Sequence, residues 1–204
     1  MILFNSPNFS LEDEKNIFRV IKNKKFADGY FQNASQTSIK NMVKAKFVAM
    51  TQSGSDALEV ASILLNLKKG DEVIMPSFTF SSTANSVLLR GAKPVFVDVQ
   101  KKNLCINLKE VEKNITKKTK AIYLVHYGGN CCDMDYALYL KKKYNIYIVE
   151  DAAHTFFAKY KKKFLGTIGD IGIFSFHETK NLNGGQAGAI IINNPIFLKK
   201  VNYV

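Results

Sequence analysis

The sequence predicts an α/β domain built on a mostly parallel sheet. Strand-like apolar stretches alternate with amphipathic stretches of helical length along most of the chain, the pattern of repeated β-α-β units. Two of the apolar stretches, "AIYLV" at 121–125 and "IYIV" at 146–149, are nearly continuous, as strands covered on both faces are. With 204 residues, 47% apolar and 23% charged, the chain has the material for one sizeable globular domain.

The elements follow in order. Residues 10–22, "SLEDEKNIFRVIK", read as a helix: Ser10 is an N-cap candidate with Asp13 three residues on, and Leu11, Ile17, Phe18 and Ile21 share a face. After a turn at Gly29, "SQTSIKNMVKAK" at 35–46 is a second, more polar helix. The strand "KFVAMT" then leads into the helix "SDALEVASILLNL", closed by Gly70. Next come the strand "DEVIMP", the helix "SSTANSVLLR" ended by Gly91, and the strand "KPVFVDV". A short helix "LKEVEKNI" precedes the strand "TKAIYLVHY", and the helix "MDYALYLKKKY" precedes the strand "NIYIVED". Beyond residue 155, "FAKYKKKFLGTIGDIGIFSF" and "AGAIIIN" read as strands joined by glycine-bearing turns, and "PIFLKKVNYV" as the first turns of a helix.

Composition excludes several classes of function. No apolar run is long enough for a membrane span, and the N-terminus lacks the layout of a signal peptide, so the expected location is the cytoplasm. Cys105, Cys131 and Cys132 read as reduced structural thiols; an odd count with two adjacent residues is a poor disulfide framework. His126, five residues before Cys131, raises a metal site, but without a CxxC pair no metal is expected. The net charge of +12 raises nucleic acid as a partner. Yet only Arg19 and Arg90 are arginines, and the lysines lie in scattered short runs without interleaved aromatics. Solvated faces, with a general attraction for anionic substrates, account for them.

Chemistry concentrates at strand ends, where open α/β sheets bind ligands. After "FVAMT" comes "QSGSDAL", in which Gly54, Ser55 and Asp56 open a helix whose first amides suit a phosphate. The segment fits neither GxxxxGK[ST] nor GxGxxG, against a nucleoside triphosphatase or a dinucleotide enzyme. Asp151 ends the strand "IYIVED" as a carboxylate in need of a partner, and His154 follows three residues on. Lys180, in "FSFHETKN" at 174–181, stands at the end of an apolar strand, where lost hydration lowers an amine's pKa and makes it a nucleophile for carbonyls. Pyridoxal phosphate needs a lysine for its aldehyde, a carboxylate for its ring nitrogen and donors for its phosphate.

The blocks "SGSDALEVA", "GDEVIMPSFTFSSTAN", "GAKPVFVDV", "VHYGG", "VEDAAH" and "FSFHETKN" resemble the DegT/DnrJ/StrS-type sugar-nucleotide aminotransferases. The likeness runs from "FNSP" at 4–7 through "DGYF" at 28–31 to "GGQAGA" at 184–189. It implies the large domain of a fold type I pyridoxal phosphate enzyme, a mostly parallel seven-stranded sheet with helices on both faces. Residues 1–35 would form an N-terminal helix and arm and 36–204 the cofactor-binding domain, ending before a small C-terminal domain. The blocks "HETKN" and "PSFTFSSTANSVLLRGAKPVFVDV" are most similar to the branch that makes dTDP-4-amino-4,6-dideoxygalactose. There an amino group passes from glutamate to a dTDP-4-keto-6-deoxy sugar for bacterial surface polysaccharide, in a homodimer.

Position by position, the resemblance makes Lys180 the lysine that holds the cofactor and shuttles the proton, and Asp151 the partner of the pyridinium nitrogen. Gly54, Ser55 and Asp56 would bind the phosphate from one side and the Ser175 hydroxyl from the other; Phe80 would stack on the ring and His154 lie beside it. Gly185-Gln186-Ala187-Gly188 departs from the family's Gly-Glu-Gly-Gly-like pattern, and a methyl at Ala187 is expected to disturb a tight loop. With the chain ending at Val204, an inactive remnant stands as the alternative to an active enzyme. A dehydratase of the same fold carries histidine in place of the lysine, and Lys180 argues against it.

Overall fold

The computed structural model of the chain describes residues 7, 9–24, 26 and 29–201. Residues 4–6 of "FNSP", Asp28 of "DGYF" and the final 202–204 of the last helical stretch lie outside the described residues.

Helix α1 (Leu11–Asn23) is capped as its sequence requires: Ser10 Oγ accepts the Asp13 amide at 3.2 Å, and the Asp13 carboxylate accepts the Ser10 amide at 2.7 Å. Its apolar face forms but contributes nothing to the core, since Leu11, Ile17, Phe18 and Ile21 are each more than 50% exposed. Helix α2 (Tyr30–Val43) starts at Tyr30 rather than Ser35, so the boundary expected at 35 falls within a single helix. It buries Ile39 and Val43.

From there β1 (Val48–Thr51), α3 (Gly54–Leu64), β2 (Glu72–Pro76), α4 (Ser81–Leu88) and β3 (Lys93–Val97) follow. They are succeeded by α5 (Leu108–Asn114), β4 (Thr119–Val125), α6 (Met134–Tyr144) and β5 (Tyr147–Asp151). A hairpin of β6 (Lys159–Tyr160) and β7 (Lys163–Phe164) leads to β8 (Ile171–Ser175), β9 (Gly188–Ile192) and α7 (Pro195–Val201). Seven strands form one sheet in the order β1-β9-β8-β5-β4-β2-β3. β2, β3, β4, β5 and β8 pair in parallel, and β9 runs antiparallel to both β8 and β1. β1 therefore points the same way as β8, and β9 alone is reversed.

Burial follows position in the sheet. Every residue of β9 is buried and all but one in β2, β4, β5 and β8, whereas the edge strands β1 and β3 each bury one. Pro94 and Lys93 on β3 are residues that discourage further pairing at an edge. Alternate residues face two cores: Val73, Met75 and Tyr123 pack with α3, α4 and α7, while Ile74, Ile122 and Leu124 pack with α5 and α6. The Tyr123 hydroxyl, fully buried, meets Ser62 Oγ at 2.8 Å, which satisfies the one polar atom that ring carries. Asp170, also buried, accepts from the Ile148 amide at 2.9 Å, Lys141 Nζ at 2.6 Å and Asn194 Nδ2 at 2.6 Å, tying β5, α6 and the start of α7 to one carboxylate.

The turn before β8 packs tightly on that strand. A Cβ at Gly172 would stand 1.9 Å from the Gly166 carbonyl oxygen, backbone that has nowhere to move. Gly172→Ala is expected to destabilise the fold by about 3 kcal/mol, the upper range for overpacking, read as a lowered urea midpoint with an unchanged slope.

Candidate active site

Because six strands point the same way, the loops after β1, β2, β4, β5 and β8 all open at one edge of the sheet. The chain moves from β2 outward to β3 and then back across to β4 on the other flank of β2, the reversal at which open α/β sheets leave a crevice. A cleft of about 900 Å³ lies there. Gly54, Ser55, Phe80, Asp151, His154, Ser175 and Lys180 line it together; Asp56 does not.

The phosphate-sized corner is built by close packing. Ser53 is the N-cap of α3, and its Oγ accepts the Asp56 amide at 3.1 Å while its carbonyl accepts the Ala57 amide at 3.2 Å. The cap thus uses the Asp56 amide internally, and the donors left for the cleft are those of Gly54 and Ser55. A Cβ on Gly54 would stand 2.9 Å from Ser175 Cβ and 3.4 Å from Ser175 Oγ, so glycine brings the helix start against the end of β8. Ser55 Oγ also contacts Ser82 Oγ at 2.6 Å, joining α3 to the start of α4.

Asp151 closes β5 and is 6% exposed. Its Oδ1 accepts the Ala153 amide at 3.1 Å, and its Oδ2 accepts from Thr83 Oγ1 at 3.4 Å. Burial pushes its carboxyl above the ordinary range; the Ala153 amide and the charges of His154, Lys180 and His126 only partly offset that. Lys180 shows the mirror image. Burial lowers its amine, and attraction to Asp151 partly opposes the shift. The lysine is not at the strand end itself: β8 stops at Ser175, and Lys180 sits on the loop between β8 and β9, half-buried. Its turn is held by the Lys180 amide donating to the His177 carbonyl at 2.8 Å and by His177 Nδ1 accepting the Thr179 amide at 3.2 Å.

His154 accepts the Gly128 amide on Nδ1 at 3.2 Å, which assigns its neutral-form proton to Nε2. Burial and then the Lys180 charge lower its pKa. Its ring meets Tyr127 edge-on at 5.2 Å, and Tyr127 meets Phe78 at 4.6 Å, so an aromatic wall runs up one side of the cleft. Phe80, at the N-cap of α4, remains 73% exposed with its ring at the opening. Ala187 lies outside the left-handed backbone region, so its φ does not call for glycine.

Sequence reasoning passed over Thr79, Thr83, Phe78 and Tyr127, although "PSFTFSSTAN" and "VHYGG" contain them. It also passed over Glu150, fully buried, which accepts the amides of Gly166, Ile168 and Gly169 and contacts His126 Nε2 at 3.0 Å. His126 Nδ1 accepts the Cys132 amide at 3.2 Å, so both ring nitrogens are engaged within the fold.

Two helix-start amides and a serine hydroxyl in one corner, a buried carboxylate and a partly dehydrated amine fit pyridoxal phosphate. Fold and cleft define the chain as a pyridoxal phosphate-binding α/β protein. Residues 8–204 match the DegT/DnrJ/EryC1/StrS aminotransferase family, and the chain belongs to that family. GDP-perosamine synthase of Escherichia coli O157:H7 is 38% identical over 149 residues, 73% of this chain and 41% of that protein. The crystal structure of an aminotransferase from Psychrobacter cryohalolentis superposes with a TM-score of 0.91 at 33% identity, over 96% of this chain and 51% of that one. A GDP-4-keto-6-deoxymannose-3-dehydratase holding a trapped pyridoxal phosphate–glutamate adduct gives 0.91 at 27% identity, over 97% of this chain and 53% of that one. The chain thus spans about half the length of the relatives it matches.

The electrostatics of Asp151 predict a pH effect on the cofactor-free protein. The folded carboxyl has a pKa above that of the unfolded chain, so its stabilising contribution is complete below the unfolded value and is lost as pH rises through the folded one. Asp151→Asn, which removes a buried charge, is expected to stabilise the cofactor-free protein near neutral pH. The gain should vanish on acidification, measured by urea denaturation of both proteins from pH 4 to 8.

Proposed function

We propose that this chain carries the cofactor chemistry of an aminotransferase that moves an amino group from glutamate to a 4-keto-6-deoxy sugar held on a nucleoside diphosphate. In this reading the product is of the dTDP-4-amino-4,6-dideoxygalactose type, for surface polysaccharide, and the enzyme works as a homodimer. The observation that carries it is the meeting of Asp151, Lys180 and the α3 start in one cleft. Residues from α2 onward form the cofactor-binding unit.

Pyridoxal phosphate supplies an aldehyde that exchanges amines and a ring that, protonated on nitrogen, withdraws electrons from the bond being broken. The chain's residues supply the rest. The Gly54 and Ser55 amides and the Ser175 hydroxyl donate to the phosphate, and the positive end of the α3 dipole favours its charge. Asp151, a carboxylate in a dry site, holds a proton on the ring nitrogen. Phe80 would cover a face of the ring and His154 would lie beside it, both lining the cleft. Lys180, its amine lowered by burial, would hold the cofactor's aldehyde and serve as the base that moves a proton at its Nζ. The same lysine separates this chain from a dehydratase of similar fold.

The sugar carrier follows from relatives rather than from the cleft, and the GDP-perosamine synthase likeness makes GDP the competing carrier. Two measurements test the reading. Mixed with pyridoxal phosphate, the protein is expected to develop a visible band, and borohydride should then fix the label to the peptide containing Lys180; Lys180→Ala should show neither. Incubation with glutamate and either the dTDP- or the GDP-linked 4-keto-6-deoxy sugar, followed by mass spectrometry, should give the aminated sugar, and from the dTDP form preferentially.

A further inference from the structure

Two hydroxyls lie between the cleft wall and Asp151 with no part in the scheme above. Thr83, fully buried on α4, has its Oγ1 2.8 Å from Thr79 Oγ1 and 3.4 Å from Asp151 Oδ2. Its backbone is pinned on both sides: its amide donates to the Phe80 carbonyl at 3.1 Å, and its carbonyl accepts from Ser86 Oγ at 3.0 Å. A hydroxyl has one proton to give, and an ionised carboxylate has none. Thr83 therefore donates to Asp151, and the contact between the threonines must run from Thr79 to Thr83. With the acid ionised, the order that uses both contacts begins at Thr79, which lines the cleft, and ends on Asp151. The other oxygen, Oδ1, is held by the Ala153 amide at 3.1 Å.

We propose that Thr83, backed by Thr79, is a positioning residue for Asp151: it locks the carboxylate in one orientation and supplies the hydrogen bond that its ionised form needs in a dry site. Without this donor the acid keeps, among the described residues, only the Ala153 amide as a hydrogen-bond donor and is free to turn about that contact. Nothing else in the packing of α4 calls for a hydroxyl at 83, since valine has the same shape. The inference rests on the reading of Asp151 as the partner of the ring nitrogen.

The test is a pH titration of the visible band of the pyridoxal phosphate-loaded protein, with cofactor affinity measured alongside. His126, His154 and Lys180 also face Asp151 and stay unchanged in every variant. Thr83→Val is expected to move the titration midpoint in the direction that Asp151→Asn moves it and to weaken cofactor binding about tenfold, the loss of one hydrogen bond to a charged group. Thr83→Ser restores both. Thr79→Val, on the rim of the cleft, shifts the midpoint the same way by less, and it carries the test should Thr83→Val not fold. A Thr83→Val protein, or in its place a Thr79→Val protein, with wild-type midpoint and affinity overturns the relay and leaves the reading of Asp151 intact. A lowered melting temperature with an unmoved midpoint assigns Thr83 to packing alone and overturns it equally. If Asp151→Asn itself titrates like the wild type, the reading of Asp151 falls and the relay with it.

Discussion

The site depends on dehydration of two opposite charges at one edge of a sheet. Asp151 and Lys180 are each pushed towards neutrality by burial, and each is partly held charged by the other. In water such a pair would attract by about 1 kcal/mol at contact distance, too little to set the protonation state of either. In a cleft walled by Phe78, Tyr127 and the apolar ends of strands, the same charges act over a medium that screens them far less. The acid then stays receptive to a cation, and the amine is moved towards its nucleophilic form.

The sheet brings them together through the pairing of β5 with β8, where Asp151 lies opposite Ile173 and the Ala152 amide donates to the Ile173 carbonyl at 2.9 Å. Six co-directional strands deliver five loops to one edge, and glycine permits the closest approach, at Gly54 against Ser175. Behind that edge two further carboxylates do structural work. Glu150 gathers three amides of the turn before β8, and Asp170 ties β5 to α6 and α7. Neighbouring acids on one strand thus take opposite tasks, because alternate residues face opposite sides of a sheet. Glu150 is spent on backbone donors, while Asp151 keeps acceptor capacity towards the cleft.

Much of this was legible in the sequence. Each strand–helix alternation from "KFVAMT" to "NIYIVED" appears where periodicity places it, because a core on both faces leaves little freedom in which residues point inward. Asp151 and the start of α3 stood out because strand ends in such sheets are where polar residues need a reason. What periodicity could not show was pairing at a distance. Thr83 reads as one more small polar residue in "SSTAN", and only the packing of α4 over β5 brings its hydroxyl to the acid. The α1 face was read correctly as amphipathic, yet an apolar stripe says nothing about what it meets, and here it meets solvent. Asp56 was grouped with its neighbours because capping by Ser53 one position earlier is a matter of backbone geometry.

The reversal of β9 has a consequence for the amine. The loop 176–187 leaves the sheet at Ser175 and returns at Gly188, and those two residues face each other across antiparallel strands, with the Phe176 amide donating to the Ala187 carbonyl at 2.8 Å just beyond. The loop is thereby cinched at its base, and its tip inherits its bearing from the ladder below. A slip of one rung would turn the side chains of β9 inside out and carry the nitrogen of Lys180 away from its target. The aim of the nucleophile is set by strand registration, at a distance from any atom it touches.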